Sequence, residues 1–239
     1  MPPETVAGRP VYRAVLFDVG GPLNTEVEHE RLIDADIRAA LAAQGVDVTD
    51  AQYTAAVEAA VRSYAWDAYS SMIWHLARHD ATLAEQVSQD FRARAHSRPS
   101  PFELRPGIAE VLSGLRARGL RLGLAANQPQ KTLPVLDAHG IGHYFHHREV
   151  SGTHGFHKPD PRLFLRACED IGVEPADTIM VGDRIDNDIA PARRLGMAAV
   201  LMRTGRHRAQ QPRSLAEMPH AEVRSAEGLQ AALHAMLNG

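Results

Sequence analysis

The stretch AVLFDVGGPLNTE, residues 14–26, decides the fold. Val15, Leu16 and Phe17, with Val11 ahead of them, make a β-branched and apolar run that stops at an acid and then at two glycines. A run without polar alternation reads as a strand inside a parallel sheet, since only a sheet covered on both faces hides every residue of a strand. Gly20 and Gly21 then permit a tight turn, because glycine enters conformations closed to other residues. Asp18 therefore stands at the carboxyl end of a strand, the edge at which open α/β sheets bind ligands.

Beyond the turn the pattern changes. From Glu26 to Ala43, Val27, Leu32, Ile33, Ile37 and Leu41 recur near helical spacing until Gly45 ends the run. Helical patterns follow at about 50–64, 65–79 and 82–96, and RPSPFELRPG (98–107), with three prolines and a glycine, marks a linker. From there helices over 107–118, 129–139, 161–172, 188–195 and 227–237 alternate with strands over 120–126, 148–151, 178–181, 198–202 and near Glu222. That rhythm specifies a Rossmann-like, doubly wound α/β fold with helices on both faces of a parallel sheet, interrupted by an all-α insertion. The expected division is 1–24 with 105–239 as the core and 25–104 as the helical insertion.

With 239 residues, 44% of them hydrophobic, the chain can bury a full core. A formal net charge of −3, with acids and bases interspersed, offers no field to attract nucleic acid or a membrane surface. The first dozen residues lack a basic segment followed by an apolar one, and no uninterrupted apolar run approaches about eighteen residues, so the expected location is the cytoplasm. Cys168 stands alone, which excludes an internal disulfide and a cysteine-based zinc cluster; its helical context PRLFLRACEDIGV predicts a packed, inert thiol.

Residues just past the strands share one crevice in such a fold, and here they form a coherent chemical set. The first strand gives Asp18, the strand ending at Ala126 gives Asn127, the next leads to Lys158 in FHKPDP, and the one ending at Val181 gives GDRIDND with Asp183, Asp186 and Asp188. One carboxylate to attack, further carboxylates for a hard cation and a lysine for an anion suit phosphoryl transfer.

In the motifs FDVGGPLN, LAANQP, KPDP and VGDRIDNDIAPARRLGM the chain resembles the haloacid dehalogenase superfamily, in the branch with a helical cap inserted after the first motif. The resemblance implies a hydrolase in which Asp18 is the nucleophile, forming an aspartyl intermediate. It implies Mg²⁺ held by Asp18, the Gly20 carbonyl and Asp183, with Asp188 supporting from farther out. It implies that Lys158 holds Asp18 and the phosphate in register, that backbone groups at Gly21 and Ala126 with Asn127 bind phosphate, and that the cap chooses the leaving group. The expected substrate is a small phosphorylated metabolite, and the expected assembly a monomer or homodimer.

Two positions depart from the phosphatases of that superfamily. Gly20 replaces the second aspartate that serves as general acid and base, and Ala126 replaces the phosphate-binding serine or threonine. A general acid is worth on the order of a hundred- to ten-thousand-fold, most where an alkoxide must leave, so leaving groups of low pKa are expected to suffer least. Glu26, Glu28 and His29 are candidate substitutes. The superfamily's 2-haloacid dehalogenases also lack the second aspartate, but they carry an aromatic residue where Gly20 stands and need no metal, whereas GDRIDND keeps the metal-type acids. A catalytically weak binding protein is the other alternative.

Three features stand outside this set. Six histidines crowd residues 139–157 (His139, His143, His146, His147, His154, His157); the i, i+4 pair His139 and His143 is interrupted by a glycine and the expected end of a helix, so the group reads as loop and surface residues, with His157 the one beside Lys158. Trp66, Tyr69 and Trp74 read as filling a helix-bundle core or a dimer contact, with a lid as the alternative, and RTGRHRAQQPR (203–213) as a solvated loop.

Overall fold

A computed structural model describes residues 5, 6 and 9–238, with side chains from Val11 onward; residues 1–4, 7, 8 and 239, which the sequence reading assigns to the core, lie outside the described residues. Six strands, β1 (Ala14–Phe17), β2 (Arg121–Ala126), β3 (His147–Val150), β4 (Thr178–Gly182), β5 (Ala198–Met202) and β6 (Ala221–Val223), form one sheet in the order β3-β2-β1-β4-β5-β6. Every neighbouring pair is parallel. β1, β4 and β5 are buried at every residue, which is why their sequences are continuous apolar runs.

The chain winds from β1 outward to β3, returns to the far side of β1 and winds outward again, so the strand order reverses between β1 and β4. A reversal of this kind opens a crevice at the carboxyl ends of the two strands. The register sets Phe17 beside Val181, and the Asp18 N–H donates to the Val181 carbonyl at 2.9 Å. Asp18 thus leaves the sheet next to Gly182 and Asp183.

The described chain forms two compact units, one of residues through Thr25 with 103–204 and 212–238, the other of 26–102 with 205–211. The second is built on α1 (Val27–Ala43), α2 (Asp50–Arg62), α3 (Ala68–Leu76) and α4 (Ala81–His96), whose buried faces meet through Ile37, Leu41, Tyr53, Met72 and Val87. Short polar side chains start α2, α3 and α4 by capping orphan N–H groups: Thr49 with Gln52 in a reciprocal capping box, Asp67, and Asp80. Tyr69 packs edge-on against Phe91 with ring centroids 6.0 Å apart, while Trp66 and Trp74 are exposed.

In the first unit, α5 (Ile108–Ala117), α6 (Thr132–Ala138), α7 (Ser151–His154), α8 (Pro161–Ile171), α9 (Ala190–Arg194) and α10 (Ala226–Asn238) accompany the sheet. Asp160 caps α8 and Pro161 takes its first turn, where its missing N–H costs nothing. α8 lays Leu163, Phe164, Ala167 and Ile171 over Leu16, Ala125 and Met180, and Cys168 is buried in that layer with its thiol pushed up to about 11 by burial. Among the described residues no helix is long and apolar enough to cross a membrane.

The arginine run is a solvated loop only in part: Arg208 and Arg213 are exposed, whereas Arg203 and Arg206 are held in ion pairs. The Arg206 side chain is 6% exposed, and its Nη2 donates to Asp34 Oδ1 at 2.6 Å. Its backbone N–H donates to Glu30 Oε1 at 2.6 Å, and its guanidinium lies 5.6 Å from the Tyr69 ring centre. Glu30 and Asp34, four apart on α1, stand on one helix face and form the acidic half of this contact. Arg203 likewise bonds Glu222 through two nitrogens. Replacing Arg206 by Ala removes these side-chain bonds, and equilibrium urea unfolding should show a loss of about 1–3 kcal/mol, partly restored by Arg206→Lys; an unchanged unfolding midpoint would mean the contact is idle.

Candidate active site

Four side chains from three segments converge at the strand reversal. Asp18 follows β1, Asp183 follows β4, Asp188 comes from the turn after β4, and Lys158 lies between α7 and α8. Carboxylate oxygens of Asp18, Asp183 and Asp188 all lie within 4.8 Å of one another, and all three residues are buried. The Lys158 ammonium, 1% exposed, stands 2.9 Å from Asp18 Oδ1 and 2.6 Å from Asp188 Oδ1.

Burial drives the electrostatics. It pushes the Asp18 carboxyl up to about 6 despite the opposing pull of Lys158, and the Asp188 carboxylate adds to the rise. Burial also works against the Lys158 ammonium, but Asp18 and Asp188 outweigh it and hold the lysine above its ordinary value. Asp18 Oδ1 accepts from Lys158 and from the Val19 N–H at 2.8 Å; its Oδ2 has no hydrogen-bond partner among the described residues.

The sequence reading draws a helix over 188–195, but a π-helical turn occupies Ile185–Ile189 and α9 begins only at Ala190. The wider turn carries Asp188 back over the end of β4. A β-carbon on Gly182 would lie 2.3 Å from Asp188 Cβ, so only glycine fits there. Asp188 is then gripped at both oxygens, by Lys158 Nζ and by the Arg184 N–H at 2.9 Å. π-turns of this sort recur at functional sites.

The other expected residues hold the site together. Asn127 accepts from the Lys158 N–H at 2.7 Å and donates to the Lys158 carbonyl at 3.0 Å, which leaves one amide hydrogen for a ligand. Ala126 ends β2 fully buried. Gly20 lies in the turn after Asp18. Gly21, at φ +83°, would place a β-carbon 2.8 Å from Asp183 Cβ, and its N–H is already donated to Asn24 Oδ1 at 3.1 Å. Asp186 pairs with Arg184 at 2.6 Å, and His157 is exposed.

Of the substitute acids, Glu28 is held below its ordinary range by hydrogen bonds from Arg31, so it carries no proton to give at neutral pH. His29 is lowered by burial and by Arg98 and Arg206, which leaves it neutral there, beside Ser100 Oγ at 3.0 Å. Glu26 starts α1 at φ 58°.

Sequence reading missed Arg105. Its Nε donates to the Gly21 carbonyl at 2.6 Å, and its Nη2 reaches the Asn24 carbonyl at 3.1 Å and Thr204 Oγ1 at 2.8 Å, bracing the turn after Asp18. An arginine inside a proline-rich linker gives no sequence signal for such a role.

A doubly wound sheet with three buried acids and a buried lysine at its strand reversal defines a class of α/β hydrolases. The chain belongs to one family within it, the haloacid dehalogenase-like hydrolases, whose model matches residues 12–196. It is 36% identical over 123 residues to the glyceraldehyde 3-phosphate phosphatase of Methanopyrus kandleri, a match covering 49% of this chain and 51% of that one, so the chain aligns with about half of that relative's length. It is 29% identical over 199 residues to the phosphoglycolate phosphatase of Vibrio parahaemolyticus, covering 78% and 82%. The structure of Bacillus subtilis YfnB bound to magnesium shares the fold with a TM-score of 0.67 at 23% identity, over 96% of this chain and 100% of that one.

Gly182→Ala tests the local geometry. The added methyl must displace Asp188, so divalent-ion affinity measured by calorimetry should fall at least about tenfold and stability by about 1–3 kcal/mol, the usual cost of overpacking; affinity equal to wild type would show that Asp188 placement is not set by this glycine.

Proposed function

We propose that the protein is a Mg²⁺-dependent phosphatase of small phosphorylated metabolites, working through an aspartyl-phosphate at Asp18. The observation that carries this reading is the buried Lys158 ammonium between Asp18 and Asp188, beside Asp183. Counted at formal charge, three carboxylates against one ammonium leave two negative charges, the charge of one divalent cation. An all-oxygen donor set suits a hard ion, so the residues fit magnesium. Asp18, Asp183 and the Gly20 carbonyl would hold it, with Asp188 in support, and when bound it supplies positive charge that screens the phosphate from the acids.

In this reading an Asp18 carboxylate oxygen attacks phosphorus while the bond to the ester oxygen breaks, and the leaving oxygen takes the electron pair. Lys158, with Asp18 Oδ1 at 2.9 Å, keeps the carboxylate oriented and offsets its repulsion toward a dianionic phosphate. Water then cleaves the aspartyl-phosphate, releasing inorganic phosphate and regenerating Asp18. Gly20 has no side chain to protonate the leaving oxygen, and Glu28 is unsuited to the task. Activity should therefore depend steeply on leaving-group pKa. The relatives' names, glyceraldehyde 3-phosphate and phosphoglycolate phosphatase, support a small phosphorylated substrate.

Phosphate release should require Mg²⁺ and stop with a chelator, and Asp18→Asn should lower kcat on the order of 10⁴-fold or more. Across p-nitrophenyl, acetyl, glucose-1- and glucose-6-phosphates, kcat/KM should rank with falling leaving-group pKa. Turnover of the alkyl ester as fast as the others at matched binding would reject the missing-acid argument, and halide release from 2-haloacids without phosphatase activity would reject the reading itself.

A further inference from the structure

A second cluster of ligating side chains lies on β3 and the helix that covers it. His147 and Glu149, two apart on β3, project to one face of the sheet, beside the small residues Gly123 and Ala125 of β2. α8 packs on that face and brings Asp170 to it. His147 Nε2 stands 3.2 Å from Glu149 Oε2 and 3.1 Å from Asp170 Oδ2; ligand atoms of all three residues lie within 4.8 Å of one another. His154, from α7, places its Nε2 3.7 Å from the same Glu149 oxygen.

The Glu149 side chain is 1% exposed, and its Oε1 is buried with no hydrogen-bond partner among the described residues. A buried carboxylate oxygen left without a partner is costly, and a bound ligand would relieve that cost. The spacing names the ligand. Donors 2.0–2.1 Å from one tetrahedral ion stand about 3.3–3.4 Å apart; His147 Nε2, at 3.2 and 3.1 Å from the Glu149 and Asp170 oxygens, is near that edge, and His154 Nε2, at 3.7 Å from Glu149, is the next donor within reach. Imidazole nitrogens mixed with carboxylates favour a zinc-type ion over magnesium. Arg166 Nη2, at 4.0 Å from Asp170 Oδ2, is the neighbouring cation; its side chain is 40% exposed and has solvent to move into.

We propose that His147, Glu149 and Asp170, with His154 as the fourth donor, form a Zn²⁺-class site separate from the catalytic acids. Two of the six histidines that read as surface residues are thereby gathered onto one buried carboxylate. The ligands bracket the segment that carries Lys158: three precede it and Asp170 follows it. An ion here ties the edge strand, the short α7 and helix α8 together, and so fixes the stretch from which Lys158 reaches Asp18.

The test is Zn²⁺ binding to the full chain, stripped with chelator and then held in excess Mg²⁺, read by metal content and calorimetry for wild type, His147→Ala, His154→Ala and Asp183→Asn. One equivalent of Zn²⁺ should bind wild type and Asp183→Asn alike, and affinity should fall about 100-fold or more in His147→Ala. Thermal unfolding of wild type should rise by about 5 °C or more with saturating Zn²⁺, and that of His147→Ala should not. A folded His147→Ala with wild-type Zn²⁺ affinity, loss of Zn²⁺ binding in Asp183→Asn alone, or no Zn²⁺ binding to wild type overturns the site and leaves ordinary His–carboxylate pairs. None of these readouts depends on phosphatase activity.

Discussion

The Lys158 ammonium shared by Asp18 and Asp188 is the interaction on which the site depends. At 2.9 and 2.6 Å from the two carboxylates, it sits where water is excluded, so its charge acts with little screening. Removing it would leave buried like charges facing each other, the costly half of a buried ion pair. Much of the surrounding chemistry serves to hold this one contact. Asn127 grips the lysine's backbone from both sides, the π-turn and Gly182 bring Asp188 within reach, and Arg105 braces the turn beyond Asp18.

The sheet supplies the convergence. Because strand order reverses between β1 and β4, the turns leaving them open into one crevice, and short parallel strands of nearly equal register end at one level. Backbone hydrogen bonding inside a buried sheet is stiff, so residues one or two positions past a strand inherit its precision. That stiffness matters for a cluster of like charges, which would drift apart on flexible loops.

The strands, the helices and the strand-end acids were legible because each leaves a local signature: an apolar run stopped by Asp18, by Asn127 or by Gly182 and Asp183, or a helical stripe closed by a glycine. The groups that hold them were not. Asn127 meets Lys158 across 31 residues of chain, and Arg105 meets Gly21 across 84, separations at which no local pattern reports a contact. The helix read over 188–195 differs at its start because a side-chain grip on Asp188, absent from any periodicity argument, widens the first turn. The arginine run misled for the same reason: its composition is that of a loop, and its partners Glu30 and Asp34 lie some 170 residues earlier. The aromatics of the helical insertion were ambiguous in sequence, and packing separated them, Tyr69 inward and Trp66 and Trp74 outward.

The membership of residues 205–211 in the helical unit bears on how this protein can be recombined. A domain inserted at one point is joined by two strands of chain and can be exchanged between relatives as a cassette. Here the polypeptide passes between the units four times, and the second visit brings Arg206, whose partners are on the first. A chimera spliced at residues 26 and 102 would carry Glu30 and Asp34 into a host without their counter-charge, and leave the arginine behind with nothing to meet. Inheritance of the helical insertion is therefore tied to a short piece of chain that the sequence places about a hundred residues farther on, and the two have to vary together.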